Sequence, residues 1–403
     1  MTASRRFAFV TTPNIDPWAG AEELWSRTAL DLVSQGFPVS ASVMQWSATH
    51  PRMRDLQTRG VELWFRPEWY YWSQHPWRRV MSRHIGHTAD AVRRMIAARP
   101  PALVVFSHGG PVPEIELLEL CAAQNLPFAT IGHLNHDGTW YRDELAERYR
   151  AALRVAARCF FVSHANLRLC EKQIGAELPN AEVVWNPVNI ANDALPAWPP
   201  LGNDGELRFA CVARLYPPGK GQDILFEALA GPSWADRRWR LYLYGEGQMH
   251  GTLDRLAARL GLSDRIVFAG FKSVEEIWAS NHVLVMPSRY EGLPLAMVEA
   301  MLCARPVVAT NVAGHAEIVE DGVTGFLADA ATASSMAKAL ERFWGRRSEA
   351  QALGKAGAHR IRQLLPQDPV RVFTDKLKKL AGLGEGDEAA ATARQKFARQ
   401  NQA

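Results

Sequence analysis

Short, largely apolar runs punctuate this chain, separated by longer segments with helical spacing. Phe7–Val10, Val39–Met44, Val104–Phe106, Phe128–Ile131 and Phe160–Ser163 are bounded by turn formers, the pattern of strands buried on both faces. Between the first two, Leu24, Ala29, Leu32 and Val33 mark the apolar face of a helix from about Ala21 to Gln35, and Gly36 ends it. Strand, loop, helix and strand in this order form a βαβ unit, whose crossover puts the loop at the carboxyl edge of a parallel sheet. Glu182–Val188 closes the first half.

The pattern then breaks. Pro196, Pro199, Pro200, Gly202 and Gly205 crowd a short stretch before the alternation resumes. Leu207–Val212, Arg240–Tyr244, Arg265–Ala269, Val283–Met286 and Arg305–Ala309 read as strands of a second α/β half, with helices from Asp223 and after Gly247. Helices dominate from Ala331 to about Leu380. The expected organisation is a first domain over 1–195, a linker over 196–206, a second domain over 207–365, and C-terminal helices and tail over 366–403. The last segment is a candidate to return to the first domain.

At 403 residues the chain is long for one core and comfortable for two. A net charge of +4 is a weak argument for nucleic acid and no argument for a strongly anionic partner, so no nucleic acid is expected. The five cysteines are scattered, with no Cys-x-x-Cys pair and no metal-ligand spacing, as expected of buried thiols in a reducing compartment. The first apolar run is too short for a signal sequence and no run is long enough for a membrane span, so a cytoplasmic protein is expected.

Candidate chemistry concentrates between Pro287 and Asp329. After the Val283–Met286 strand the chain reads Pro-Ser-Arg-Tyr-Glu-Gly-Leu-Pro-Leu, and a helix is expected to start at Gly292-Leu293-Pro294, where proline's missing N–H costs nothing. Free backbone N–H groups at Gly292, Leu293 and Leu295 suit a phosphate, and the flanking carboxylates Glu291 and Glu299 suit hydroxyls. Phosphate with hydroxyls suggests a nucleotide-sugar. Arg214 and Lys220 flank a proline- and glycine-rich turn after the Leu207–Val212 strand and can meet a diphosphate. Gln222 after Gly221 excludes a Walker loop, and Gly245-x-Gly247 lacks the third glycine of a dinucleotide fingerprint.

The first half is less explicit. Ala19-Gly20-Ala21-Glu22 lies at a strand's carboxyl end, where a phosphate loop or a plain turn fits. His108, His133 and His136 sit in strand-end loops without metal spacing; such a histidine can donate to substrate oxygens or serve structure. From Glu62 to Arg83, Trp64, Phe65, Trp69, Tyr70, Tyr71, Trp72 and Trp77 mix with Arg66, Arg78, Arg79 and Arg83. A loop and helix packing these aromatics inward is the favoured reading; a lipid-headgroup or acceptor surface is the other.

These motifs, in this order, resemble the GT-B glycosyltransferases, and within them the retaining family 4. The E-x7-E motif stands as Glu291 and Glu299, the Arg…Lys-Gly pattern as Arg214 and Lys220-Gly221, the Gly-x-Gly turn as Gly245 and Gly247, and the closing Gly-x-x-Gly-Phe-Leu as Gly322 to Leu327. The family's Gly-Gly-x-Glu loop appears as Ala19-Gly20-Ala21-Glu22, with alanine for the first glycine, and His133 falls where the family carries a cleft histidine.

The resemblance implies an α/β fold of two Rossmann-like, doubly wound domains facing across a cleft. It implies a nucleotide-diphospho-sugar donor, a glycan or lipid-linked acceptor, retention at the anomeric carbon, and no metal or other cofactor. Arg214 and Lys220 would neutralise the diphosphate, Glu291 would face the donor sugar, Glu299 the ribose, and Lys272 the base. Gly20, Gly245 and the Gly292–Leu295 backbone would line the donor, with His133 on the catalytic side. Peripheral contact with a membrane through the first domain is an accompanying expectation. The alternatives are another GT-B sugar-nucleotide enzyme, such as an epimerase or a phosphorylase, and a non-catalytic nucleotide-sugar-binding subunit.

Overall fold

The computed structural model describes residues 5–12, 17–46, 49–66, 88–110, 114–191, 193, 195–201 and 205–383. It divides into two compact units. One comprises residues up to 162 with 166–187 and from 368 onward; the other comprises 163–165 with 188–367.

The first unit is a parallel sheet of β1 (Phe7–Thr11), β2 (Val39–Met44), β3 (Glu62–Arg66), β4 (Leu103–His108), β5 (Phe128–Gly132), β6 (Arg158–Phe161) and β7 (Ala181–Val183) in the order β3-β2-β1-β4-β5-β6-β7. Every residue of β1, β2 and β4 is buried, which is why their sequences run apolar instead of alternating. The helix Pro369–Leu380 belongs to this unit: Phe373 meets Phe160 edge-on at 5.0 Å, and Leu377 joins the core around Trp25 and Leu32.

β3 corrects the reading of Glu62–Arg66 as loop or helix. It pairs with β2 from Ser40↔Glu62 to Met44↔Arg66. As the edge strand it is only partly covered, so its mixed aromatic and charged residues show no clean period. Residues 67–87, which carry the rest of the aromatic–arginine stretch and the expectation of membrane contact, lie outside the described residues. No described helix is long and apolar enough to cross a membrane.

The second unit repeats the plan with β8 (Leu207–Val212), β9 (Trp239–Tyr244), β10 (Ile266–Gly270), β11 (Val283–Met286), β12 (Val307–Thr310) and β13 (Gly325–Ala328), in the order β10-β9-β8-β11-β12-β13 and all parallel. Both sheets reverse direction of winding beside their first strand, between β1 and β4 and between β8 and β11. In such folds ligands bind at the carboxyl edge of the sheet beside this reversal point.

Residues 188–201 group with the second unit, and Arg305 supplies one reason. Its buried guanidinium donates to the carbonyls of Asn281 (3.0 Å), Cys303 (2.7 Å), Ala197 (2.8 Å) and Trp278, and stacks over Trp198 at 5.1 Å. A buried cation is tolerated when its donors are filled in this way. All five cysteines are buried and free, and burial pushes each thiol up to about 12.

Candidate functional site

At the reversal point of the second sheet, the loops after β8 and β11 are sewn together. The β8 loop turns through a short helical segment, Pro217–Lys220, and Gly221 passes in the left-handed region (φ 67°) into the helix Gln222–Leu229. A Cβ on Gly221 would lie 2.0 Å from the carbonyl oxygen of Pro287 in the β11 loop. Arg289 N–H donates to Gly219 O at 2.8 Å, and the Arg289 guanidinium grips Asp223 (2.8 and 2.7 Å) and Pro217 O (2.7 Å). Neither Arg289 nor Asp223 stood out in the sequence, because an ion pair 66 residues apart follows no local period.

This seam brings Lys220 to Glu291. Lys220 Nζ donates to Glu291 Oε1 at 2.6 Å, and Ser288 Oγ donates to the same oxygen at 2.8 Å. Burial alone would raise the Glu291 carboxyl, but the Lys220 charge and hydrogen bond, the nearby His315 and the Ser288 hydroxyl outweigh it and hold Glu291 below the ordinary carboxylate range. Glu291 is therefore an anion at neutral pH. Arg214 lies on the β8 loop, its guanidinium 6.0 Å from the Tyr216 ring, and Gln222 Nε2 donates to Arg214 O at 2.7 Å.

The other expected residues separate. The helix starts at Leu295, not at Gly292: Pro294 is its extended cap (ψ 126°). Proline has no side-chain acceptor, so it offers no side-chain cap to the first-turn N–H groups. Gly292 O accepts from Gly314 N at 3.2 Å, and Leu293 is buried beside it. Glu299 is buried and its Oε1 accepts from Asn189 N (2.9 Å) and Asn189 Nδ2 (3.1 Å), a partner that sequence reasoning missed. Gly245 is explained without a ligand, since a Cβ there would lie 2.4 Å from Ala213 O. Its smallness lets the β9 loop press on the backbone that carries Arg214. Lys272 follows the edge strand β10, half exposed and 3.6 Å from Glu276, which caps the next helix with Ser273.

The first unit has its own polar cluster at the β1–β4 reversal. Gly20 is the first residue of the helix Gly20–Ser34, so Ala19-Gly20-Ala21-Glu22 is mostly helix and not loop. Glu22 is wholly buried beneath that turn and accepts from Thr11 Oγ1 at 2.7 Å. Burial outweighs this bond and raises its carboxyl to about 7. His133 Nε2 lies 3.1 Å from Ser107 Oγ; burial lowers the ring to about 3, and His108 to about 4. Both imidazoles are neutral at physiological pH, and of the two only His133 has a ring hydrogen-bond partner among the described residues.

Glu22 carries a signed prediction. A carboxyl raised on folding favours the folded state below its unfolded value near 4.5, and that advantage disappears as pH climbs towards 7. Urea denaturation between pH 4.5 and 8 is expected to show a loss of about 3 kcal/mol from this group. Glu22→Gln should remove that slope and be the more stable protein at pH 8.

Comparison with known proteins fits this geometry. Residues 206–345 match the family model for glycosyl transferases group 1. An uncharacterized glycosyltransferase of Methanocaldococcus jannaschii is 34% identical over 163 residues, 40% of this chain and 42% of that protein. The GDP-mannose-dependent alpha-(1-6)-phosphatidylinositol monomannoside mannosyltransferase of Mycolicibacterium smegmatis is 34% identical over 159 residues, 37% and 41% of the two chains. Those alignments thus span less than half the length of either relative. Among solved structures, Anabaena HepE in complex with UDP superposes with a TM-score of 0.71 at 19% identity, covering 94% of this chain and all of that one. Sucrose-phosphate synthase from Thermosynechococcus elongatus gives 0.70 at 18% identity, with 93% and 98% covered. The two-sheet fold is GT-B. The stretch that matches the glycosyl transferases group 1 model falls within its second unit.

Proposed function

We propose that this chain is a retaining glycosyltransferase that moves a sugar from a nucleotide-diphospho-sugar to a glycan or lipid-linked acceptor. The observation that carries the reading is the Lys220–Glu291 pair at 2.6 Å, with Arg214 on the same loop, at the sheet's reversal point. A cation and an ionised carboxylate held side by side suit a ligand that joins a diphosphate to a polyol. The names of its relatives and neighbours, one GDP-mannose-dependent and one bound to UDP, support the same ligand class.

In this reading Lys220 and Arg214 neutralise the diphosphate as the bond from the anomeric carbon to the phosphate oxygen breaks, stabilising charge where it develops. The uncapped first-turn N–H groups near Gly292–Leu295 approach a phosphate or the sugar. Glu291 accepts from a donor-sugar hydroxyl. Glu299 takes a ribose hydroxyl beside or in place of Asn189 Nδ2, and Lys272 lies towards the base. The acceptor oxygen bonds to the anomeric carbon on the face the phosphate leaves, and its proton passes to the departing phosphate oxygen. Within the first unit, Gly20 and the neutral His133 are the candidates for contacting substrate oxygens. With two protein cations at the diphosphate, the reaction is assigned no metal.

A thermal-shift panel of UDP, GDP and ADP, each alone and with glucose, mannose or N-acetylglucosamine attached, tests this. A ligand at 100 times its dissociation constant stabilises by about 2.7 kcal/mol, so one base and one sugar should stand out. No shift with any member overturns the reading. A shift without transfer to any offered acceptor, glycan or lipid-linked, leaves a nucleotide-sugar-binding subunit.

A further inference from the structure

A buried hydrogen-bond chain runs from the segment after β12 to the Glu291 carboxylate. His315 Nδ1 lies 2.6 Å from Thr310 O. A carbonyl only accepts, so Nδ1 carries the proton. Thr310 Oγ1 in turn donates to Ser288 O at 2.5 Å, and Ser288 Oγ donates to Glu291 Oε1 at 2.8 Å. Ser288, Thr310 and His315 are each fully buried. β11 and β12 are parallel neighbours, which sets the segments after them side by side.

Lys220 Nζ occupies the same Oε1. Two internal donors therefore meet on one carboxylate oxygen, and the Oε2 atom takes part in neither bond. Lys220 alone would not enforce this. An ammonium is a point charge with rotatable donors, and the terminal torsion of a glutamate is broad, so either oxygen could turn towards it. The Ser288 hydroxyl is directional and is anchored from behind through its own backbone.

We propose that Ser288, Thr310 and His315 form a positioning chain that turns Glu291 Oε1 inward and leaves Oε2 as its one ligand-facing acceptor. Glu291 then reads a single hydroxyl of the donor sugar instead of clamping two. This deepens the nucleotide-sugar reading above and rests on it for the identity of the ligand. Ser288 acts on Glu291 directly; Thr310 and His315 act through Ser288.

The variants are Ser288→Ala, Ser288→Thr, Thr310→Val, His315→Asn, Glu291→Gln and the double variant Ser288→Ala/Glu291→Gln, all in the full chain. Two readouts are needed. The first is turnover of UDP-glucose and GDP-mannose, with the dissociation constants of UDP and GDP alone. Ser288→Ala is expected to lower kcat about 10-fold or more, the size of a lost charged hydrogen bond, while nucleotide affinity stays within about twofold. Ser288→Thr should restore most of the loss. Thr310→Val should lose less than Ser288→Ala. His315→Asn, whose amide can still donate to Thr310 O, should lose least.

The double variant should be no slower than Glu291→Gln, because residues acting as one unit do not add. A kcat for Ser288→Ala within twofold of the parent, or a double variant losing the product of the single losses, overturns the chain. A drop in melting temperature with unchanged kcat shows a structural role only and overturns it equally.

The second readout needs no turnover: the carboxyl carbon-13 titration of Glu291, assigned by its absence in Glu291→Gln. Lys220, His315, Cys211 and Tyr290 are the titratable groups whose charges couple to it, and Ser288→Ala and Thr310→Val leave all four in place. Losing a bond to the charged form moves the titration to higher pH. If Glu291 titrates in Ser288→Ala as in the parent, the chain fails even in an active enzyme. If the titration moves but no nucleotide-sugar binds or turns over, the functional reading fails and the chain stands as geometry without its ligand.

Discussion

Lys220→Ala is expected to slow sugar transfer by about 10²–10³ in kcat, the range found when one preorganised donor to developing charge is removed. It should also unsettle the fold, because Glu291 stays buried without its cation. Breaking a buried pair by removing one partner costs about 3–5 kcal/mol, and the partial exposure of Lys220 puts this case towards the low end. The sign of the pH dependence is the sharper test. In the parent, Glu291 titrates below its ordinary value, so its contribution is present above pH 4.5 and disappears as pH falls through the folded value. In Lys220→Ala, burial would act with much less opposition and raise the carboxyl, so stability should instead decline as pH climbs above about 4.5. Chemical denaturation at pH 4.5, 6 and 8 separates the two. Lys220→Ala/Glu291→Gln should recover most of the stability and none of the activity. If the single variant keeps its parent's pH profile, the pair does not set the charge of Glu291.

Gly221→Ala is expected to be the most damaging single-methyl change near the site. An L-residue at φ 67° costs about 1–2 kcal/mol by itself. The added Cβ would also sit 2.0 Å from Pro287 O, backbone against backbone, so one of the two loops must move. Overpacking of this kind adds about 1–3 kcal/mol or more. Lys220 and Glu291 lie on those two loops, so the movement that relieves the clash opens their hydrogen bond. Loss of soluble protein, or a melting temperature lower by about 6 °C or more with transfer abolished, is the expected result. Gly261→Ala is the control, since Gly261 has φ 71° and a Cβ there would meet nothing within 4 Å. It should show the backbone cost alone and remain active. Equal effects at the two positions would mean that the contact with Pro287 contributes nothing.

The central strands of both sheets were legible because burial on both faces writes itself as an unbroken apolar run. Leu207–Val212 and Val283–Met286 fall where the sequence puts them. The same argument failed for Glu62–Arg66, an edge strand whose partly covered residues are under no such constraint. The start of the Leu295–Leu302 helix was misplaced for a different reason. Proline's ring sets φ, which suits both a helix and an extended cap, whereas ψ separates them and the sequence does not specify it.

For the site, Glu291 and Glu299 were visible because their motif is local, as were Arg214 and Lys220 on one turn. What surrounds them was not. Ser288 stood in plain view three residues before Glu291, but its role depends on Thr310, which the β11–β12 pairing brings alongside. His315 lies beyond that strand with no periodicity to mark it. Asn189 reaches Glu299 from 110 residues away. The raised carboxyl of Glu22 follows from complete burial, a property of the packed unit that no neighbouring residue announces.

The cysteines lend the protein an internal clock. Thiolate is the reactive form, and these thiols are both shielded and held near 12, so alkylating reagents should find none of them while the chain is folded. Cys121, Cys159 and Cys170 lie in the first unit and Cys211 and Cys303 in the second. Pulse alkylation followed by peptide mass mapping would therefore record which of the two opens first, residue by residue, with no engineered label.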